Sequence, residues 1–254
     1  MENFQPSAAN MLRAVRPVEG WLFEDEALAL FDCVVGRMTV RTSCVVVEVG
    51  SWKGRSTIAL ASPLGLPSNG QVFAIDPHTG SKEHRAGGVK VDTYSDFIQN
   101  LQVSGVADLV RPMKMTSHEA RQHFADHSVD VLYIDGSHEY EDVRLDINDW
   151  SSALADGAMA AFNDAFWPGV YKALNETVTC LGSKYRSPRV VRNTLFFEFR
   201  PNAKWTLSDT SALARLRTLM FVRRHVRRVR RLLPERLVEW GHSASARWLG
   251  GESR

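Results

Sequence analysis

Two spacings of apolar residues alternate along the chain. Short, nearly unbroken apolar runs rich in β-branched residues stand at 44–49 (CVVVEV), 72–75 (VFAI), 129–134 (VDVLYI) and 158–162 (AMAAF), with a weaker one at 109–113. Runs of this length and composition read as strands buried on both faces. Between them the spacing lengthens to three and four. Leu22, Leu28, Phe31, Val34 and Val35 mark one face of a helix over 21–38, and Tyr140, Val143, Ile147 and Trp150 do so over 139–150. Further helices are predicted at 57–60, 94–103, 117–124 and 169–178, and a closing antiparallel pair at 189–192 and 194–199. Residues 1–20 read as an irregular arm ending at Pro17 and Gly20. The helix after it is expected either beneath the sheet or over a ligand. Strands alternating with helices imply an α/β fold, a doubly wound and mostly parallel seven-stranded sheet.

The run at 129–134 organises the rest. It stops at Asp135, Gly136 breaks the strand, and Ser137 can cap the helix that follows, so Asp135 and His138 sit just past the carboxyl end of a central strand. In open α/β sheets that is where ligands bind. At the first strand the order is Glu48, Gly50, Ser51, Gly54 and Ser56 running into a helix, with Asp76 ending the next strand. Glycines let a backbone approach a ligand, and an acid at the second strand end can accept from ribose hydroxyls, which is the layout of a nucleotide-type cofactor site. The spacing excludes both a GxxxxGK[ST] phosphate loop and a GxGxxG dinucleotide fingerprint.

Charge divides the chain into two parts. Residues 213–254 hold eleven arginines against three glutamates, so a net charge of +2 over 254 residues conceals a basic tail on a mildly acidic body. Leu216, Met220, Val226, Val229 and Leu233 share one helical face ringed by Arg223, Arg224, Arg227, Arg228, Arg230 and Arg231, until Pro234 ends it. Such a helix at 213–233 suits peripheral membrane contact, a partner, or packing on the body or a second subunit. Nucleic acid is not expected, because the segment lacks interleaved aromatics. Three cysteines without metal spacing, no signal-type N-terminus and no apolar run of membrane-spanning length point to the cytoplasm, with peripheral membrane attachment through the tail as the variant. The expected units are 1–40 (arm and helical cap), 41–200 (ligand-binding domain) and 201–254 (basic tail).

EVGSWKGRST at 48–57, IDP at 75–77, IDGSHEYEDVRLDINDW at 134–150 and FNDAFWPGV at 162–170 together resemble the class I S-adenosylmethionine-dependent methyltransferases. The branch they resemble most holds the macrocin-type and other sugar O-methyltransferases and the cephalosporin-hydroxylase-like proteins. The resemblance covers about residues 18–200 and implies a Rossmann-like methyltransferase fold. It places Glu48 and Gly50 at the methionine and ribose end of S-adenosylmethionine, Asp76 on the ribose hydroxyls, Ser117 near the adenine, and Asp135 close to the sulfonium and to a metal.

The metal can also be argued from the residues. Asp135 ends the fourth strand and Asn163-Asp164 the fifth, so three oxygen-bearing side chains converge at neighbouring strand ends. Mg²⁺ takes oxygen ligands and keeps positions open for water and substrate. An alcohol is a poor nucleophile at neutral pH, and a metal lowers its pKa. His138, with an ordinary pKa of about 6.5, can accept the proton. Capping of strand ends and turns is the structural alternative for all four. The expected activity is Mg²⁺-dependent methylation of a hydroxyl on a sugar, polysaccharide or glycosylated metabolite. A metal-independent small-molecule methyltransferase, and a non-catalytic cofactor-fold protein tethered by its tail, are the rivals.

Overall fold

The computed structural model describes residues 7–65, 70–81 and 90–229, with side chains through 225. Seven strands form one sheet: β1 (Val45–Val49), β2 (Gln71–Ile75), β3 (Val110–Met113), β4 (Val129–Ile134), β5 (Leu154–Phe162), β6 (Tyr185–Val191) and β7 (Thr194–Phe199). Their spatial order is β3-β2-β1-β4-β5-β7-β6. The first five are parallel, and β7 runs antiparallel between β5 and β6. The winding reverses at β1: β2 and β3 lie on one side of it, β4 and β5 on the other. At such a switch point the loops leaving adjacent strands diverge and open a crevice.

Helices α1 (Ala8–Val15), α2 (Glu24–Met38), α3 (Arg55–Ala61) and α4 (Tyr94–Val103) cover one face. Helices α5 (Ser117–Arg121), α6 (Tyr140–Ser151), α7 (Pro168–Thr177) and α8 (Leu207–Val229) cover the other. Strand side chains alternate between two cores accordingly. Val46, Val131 and Tyr133 pack with Met11, Leu30, Ile58 and Phe97. Val47, Leu132 and Ile134 pack with Ile147, Trp150, Leu174 and Met220. Both faces of each central strand are therefore dry, which is why these strands read as unbroken apolar runs.

Four expectations need correction. The arm at 1–20 contains helix α1, started by Ser7, whose hydroxyl accepts from Asn10 N at 3.2 Å, and anchored by buried Met11 and Val15. The next helix begins at Glu24 rather than Trp21, and it packs against the sheet, which settles the choice left open above. Strand β6 starts at Tyr185 rather than 189, because a register shift between Arg186 and Arg189, at Ser187 and Pro188, hides its period. Strand β5 starts at Leu154 rather than 158, with Gly157 at φ +77° and a register shift opposite Val129 and Val131.

The tail helix begins at Leu207, six residues early, where Thr206 and Asp209 cap each other's backbone N–H groups (2.8 and 3.1 Å). Leu213, Leu216 and Met220 are buried on the body, so this much of the apolar face is covered by the protein itself. Of the helix at 213–233 expected to meet a membrane or partner, the side chains of 226–233 lie outside the described ones. Among the described residues no helix is long and apolar enough to cross a membrane.

Candidate active site

Two groups of residues meet at the carboxyl ends of β1, β4 and β5. The first is built around the turn after β1. Gly50 takes φ +88°, and a Cβ there would lie 2.3 Å from the carbonyl oxygen of Asp135. Any side chain would push β1 and β4 apart. Gly54 caps α3 at φ +91°. Glu48 is buried beneath this turn; its Oε2 accepts from the Thr57 hydroxyl, and its Oε1 has no partner among the described residues. Burial raises its pKa to about 8, partly opposed by the Ser56 and Thr57 hydroxyls. The Ser51 hydroxyl is likewise buried and unpartnered. Buried polar atoms rarely go unpaired, and here an acceptor and a hydroxyl both lie at the turn that lets a ligand approach.

Asp76 braces that turn. Its Oδ2 accepts from the backbone N–H of Ser51 and Trp52 at 3.0 and 2.8 Å, and its Oδ1 from His78 N at 2.6 Å. One lone pair, on Oδ1, is left for the ribose contact expected of it. His78 is buried, bonded through Nδ1 to the Thr93 hydroxyl (2.9 Å) and packed on Tyr94 and Phe97, and burial lowers its pKa. The loop that follows Asp76 is therefore pinned at its start. Trp21, 66% exposed, stands 5.7 Å from the Trp52 ring and brings the N-terminal segment to the turn. Ser117 accepts from Trp150 Nε1 at 2.8 Å and donates to Asp146, whose pKa burial raises to about 6. Its hydroxyl is thus engaged by α6.

The second group uses side chains rather than backbone. Asp135 is held by Tyr133 Oη on Oδ2 (3.0 Å) and by the Asn163 amide nitrogen on Oδ1 (2.9 Å). Burial raises its pKa to about 7; the charge of Asp164 adds to that, while the Asn163 and Tyr133 bonds oppose it. Asp164 adopts φ +48° just past β5. Its Oδ2 lies 3.1 Å from His138 Nε2, and the His138 ring stacks on Trp167 at 4.6 Å and 22°. Asp135, His138 and Asp164 each present a ligand atom, all within 4.8 Å of one another. Two carboxylates and an imidazole at half-buried strand ends fit a divalent cation of the Mg²⁺ or Mn²⁺ class, the nitrogen shifting preference toward Mn²⁺ and later metals.

Apart from Ser117, which α6 engages, the sequence-predicted residues are thus brought together in two clusters, with differences in detail. Asn163 was expected to offer its oxygen to a metal. Here that oxygen accepts from the Thr194 hydroxyl (2.7 Å), and the nitrogen faces Asp135. Four contributors are not singled out by the sequence. Tyr133 was read as core. Glu26 and Thr194, far apart in sequence, form the support behind Asn163. Gly169 was read only as the start of a helix, yet a Cβ there would lie 2.1 Å from the His138 carbonyl oxygen. Its position right after a helix-starting Pro168 was the available clue.

Comparison with known proteins agrees with this fold. Residues 47–165, from β1 to the loop after β5, match the model of a family described as a methyltransferase domain. Protein y4gI of Sinorhizobium fredii, described as uncharacterized, is 29% identical over 120 residues, 47% of this chain. The match spans only 13% of that longer protein. Among solved structures, the O-methyltransferase NovP is similar with a TM-score of 0.58 at 16% identity, over 70% of this chain and 80% of its own. CalS11, described as the TDP-rhamnose 3'-O-methyltransferase of calicheamicin biosynthesis, gives 0.52 at 16%, over 68% and 78%. The O-methyltransferase of Bacillus cereus, solved in complex with SAH, gives 0.53 at 12%, over 77% and 92%. At these identities the likeness is one of fold.

Proposed function

We propose, for a chain that carries a class I S-adenosylmethionine-dependent methyltransferase domain, that it transfers the methyl group to a hydroxyl of a saccharide or glycosylated metabolite, with help from a divalent cation. The observation that carries this reading is the contact between the two clusters: Gly50 lies directly against Asp135, so the cofactor turn and the acidic trio share one crevice.

When bound, S-adenosylmethionine supplies a methyl group on a positively charged sulfonium. Glu48 and Ser51 offer the unpartnered atoms to hold its polar end, and the Gly50 turn gives it room. A divalent cation held by Asp135, His138 and Asp164 would polarise an acceptor hydroxyl and lower its pKa. The protein's own share is placement. Gly169 lets α7 hold the backbone at 138, and Trp167 holds the ring, so the histidine and Asp164 stay in register with the crevice. Holding two reactants in line removes much of the entropic barrier of a bimolecular displacement. Trp21, Phe23 and Trp167 are exposed around this end of the sheet and suit stacking on a sugar face, in keeping with a relative such as CalS11 acting on a nucleotide-linked sugar.

A second reading has its own observation. His138 Nε2 against Asp164 Oδ2 at 3.1 Å is already a base with an orienting carboxylate, sufficient for proton removal without metal. Labelled methyl transfer from S-adenosylmethionine to saccharide fractions, with chelator and then with Mg²⁺ or Mn²⁺ restored, separates the two. Loss and recovery support the cation; indifference to chelator supports the dyad; no cofactor binding ends both.

A further inference from the structure

Behind Asp135 runs a chain of hydrogen bonds, buried at its inner end, that reaches helix α2. Asn163 gives its nitrogen to Asp135 Oδ1 (2.9 Å) and its oxygen faces the Thr194 hydroxyl (2.7 Å). That hydroxyl also lies 2.9 Å from Glu26 Oε1. Glu26, from the first turn of α2, is 1% exposed and further accepts from Phe23 N at 3.1 Å and Asn193 N at 3.0 Å. A hydroxyl has one proton, yet Thr194 sits between two acceptors.

Two arrangements satisfy the Thr194 hydroxyl, the second only with a cation between Asn163 and Asp135. In the first, Thr194 donates to the Asn163 oxygen, Glu26 carries a proton and donates it to Thr194, and the amide nitrogen faces Asp135. The amide nitrogen faces Asp135 as this arrangement requires, and burial raises the pKa of Glu26. In the second, Glu26 is ionised and takes the Thr194 proton. Thr194 then accepts from the amide nitrogen, and the Asn163 oxygen is turned toward Asp135. The two ends of an amide are alike in size, so its surroundings alone decide which end faces where.

We propose that Glu26 and Thr194 are positioning residues that set which end of the Asn163 amide faces Asp135, so that a cation at Asp135 and a Thr194 proton held by Glu26 go together. A cation repels the amide nitrogen and attracts its oxygen. Only a hydroxyl already donating elsewhere can receive that nitrogen on its other side. The inference rests on the cation reading above. Its effect on the site is through Asn163, since neither Glu26 nor Thr194 lies in the Asp135, His138 and Asp164 group.

The test is Mn²⁺ binding to the purified chain, read by electron paramagnetic resonance, with calorimetric binding of S-adenosylhomocysteine as the check on the fold. Thr194→Val removes the hydroxyl at nearly constant volume. It should weaken Mn²⁺ binding by about 10-fold or more, the usual effect of losing a group that orients a metal ligand. S-adenosylhomocysteine binding should stay as in the wild type, and Thr194→Ser should restore the metal. Glu26→Gln, which keeps the shape and removes the charge, should weaken Mn²⁺ in the same direction and serves if the valine variant does not fold. Wild-type Mn²⁺ affinity in both Thr194→Val and Glu26→Gln, with cofactor binding intact, overturns the inference. No Mn²⁺ binding by the wild type overturns the cation reading itself.

Discussion

The two halves of the crevice are made by opposite means. On the β1 side the work is done by backbone: Gly50 and Gly54 in left-handed conformations, Asp76 tying down two N–H groups of the turn, and a buried Glu48 beneath. On the β4 and β5 side it is done by side chains whose charges meet: Asp135, His138 and Asp164, with Asn163 between the first and the last. A backbone site is fixed by where a Cβ cannot go, and it tolerates no substitution at those points. A side-chain site is fixed by charge balance and can be altered without disturbing its neighbour.

The largest effect should come from breaking the boundary between them. Gly50→Ala would set a carbon where the Asp135 carbonyl oxygen stands at 2.3 Å, so β1 and β4 must separate. Calorimetry should find S-adenosylhomocysteine binding lost, and the melt should fall by an amount matching about 3 kcal/mol, the upper range for forced overpacking. A variant that binds cofactor normally would mean that the turn is looser than its geometry.

Asp164→Ala should leave the backbone half alone. The expected result is turnover down by about 100-fold, equivalent to about 2.7 kcal/mol of lost charge stabilisation, with cofactor affinity within a few-fold of the wild type. If cofactor affinity fell in step with turnover, the two halves would not be separable.

A subtler contrast concerns pH. The Glu48 carboxyl is held up to about 8 by burial, against about 4.3 in an unfolded chain. The folded state therefore binds this proton more tightly than the unfolded one. Its contribution to stability is full below the unfolded value and is lost as pH rises through the folded one, so the ligand-free chain should melt lower at about pH 9 than at about pH 5. Glu48→Gln, always neutral, should flatten that slope. Parallel pH profiles for the two would place the buried proton elsewhere. Smallest of all, Trp167→Ala removes a ring that is 41% exposed and stacked on His138 at 4.6 Å. A stack of this kind is worth about 0.5–1.5 kcal/mol, which predicts a loss in turnover of roughly 3- to 10-fold with stability nearly unchanged.

The same contrast governs what could be read from sequence. Glu48, Gly50, Gly54 and Asp76 lie within one βαβ stretch, so spacing alone pointed to them. Asp135 and Asp164 were legible because each ends a strand whose apolar run stops abruptly. Glu26 and Thr194 were not, since 168 residues separate them and nothing local marks either as polar support. Gly169 looked like any helix start, and only the closeness of the His138 carbonyl gives it meaning. Among the elements, the central strands were read nearly to the residue. The misreadings fell where local rules are disturbed: a helix in the N-terminal arm, the register shifts in β5 and β6, and an α8 whose first residue, Leu207, is 89% exposed and so lacks an apolar face.

The central claim is that Asp135, His138 and Asp164 hold one divalent cation beside the cofactor turn. Metal-free protein saturated with S-adenosylhomocysteine and titrated with Mn²⁺ tests it directly. The account predicts one Mn²⁺ per chain, lost in Asp135→Asn and in Asp164→Asn while the nucleoside stays bound. A wild-type chain that takes no Mn²⁺, or variants that take it as well as the wild type does, would contradict the account.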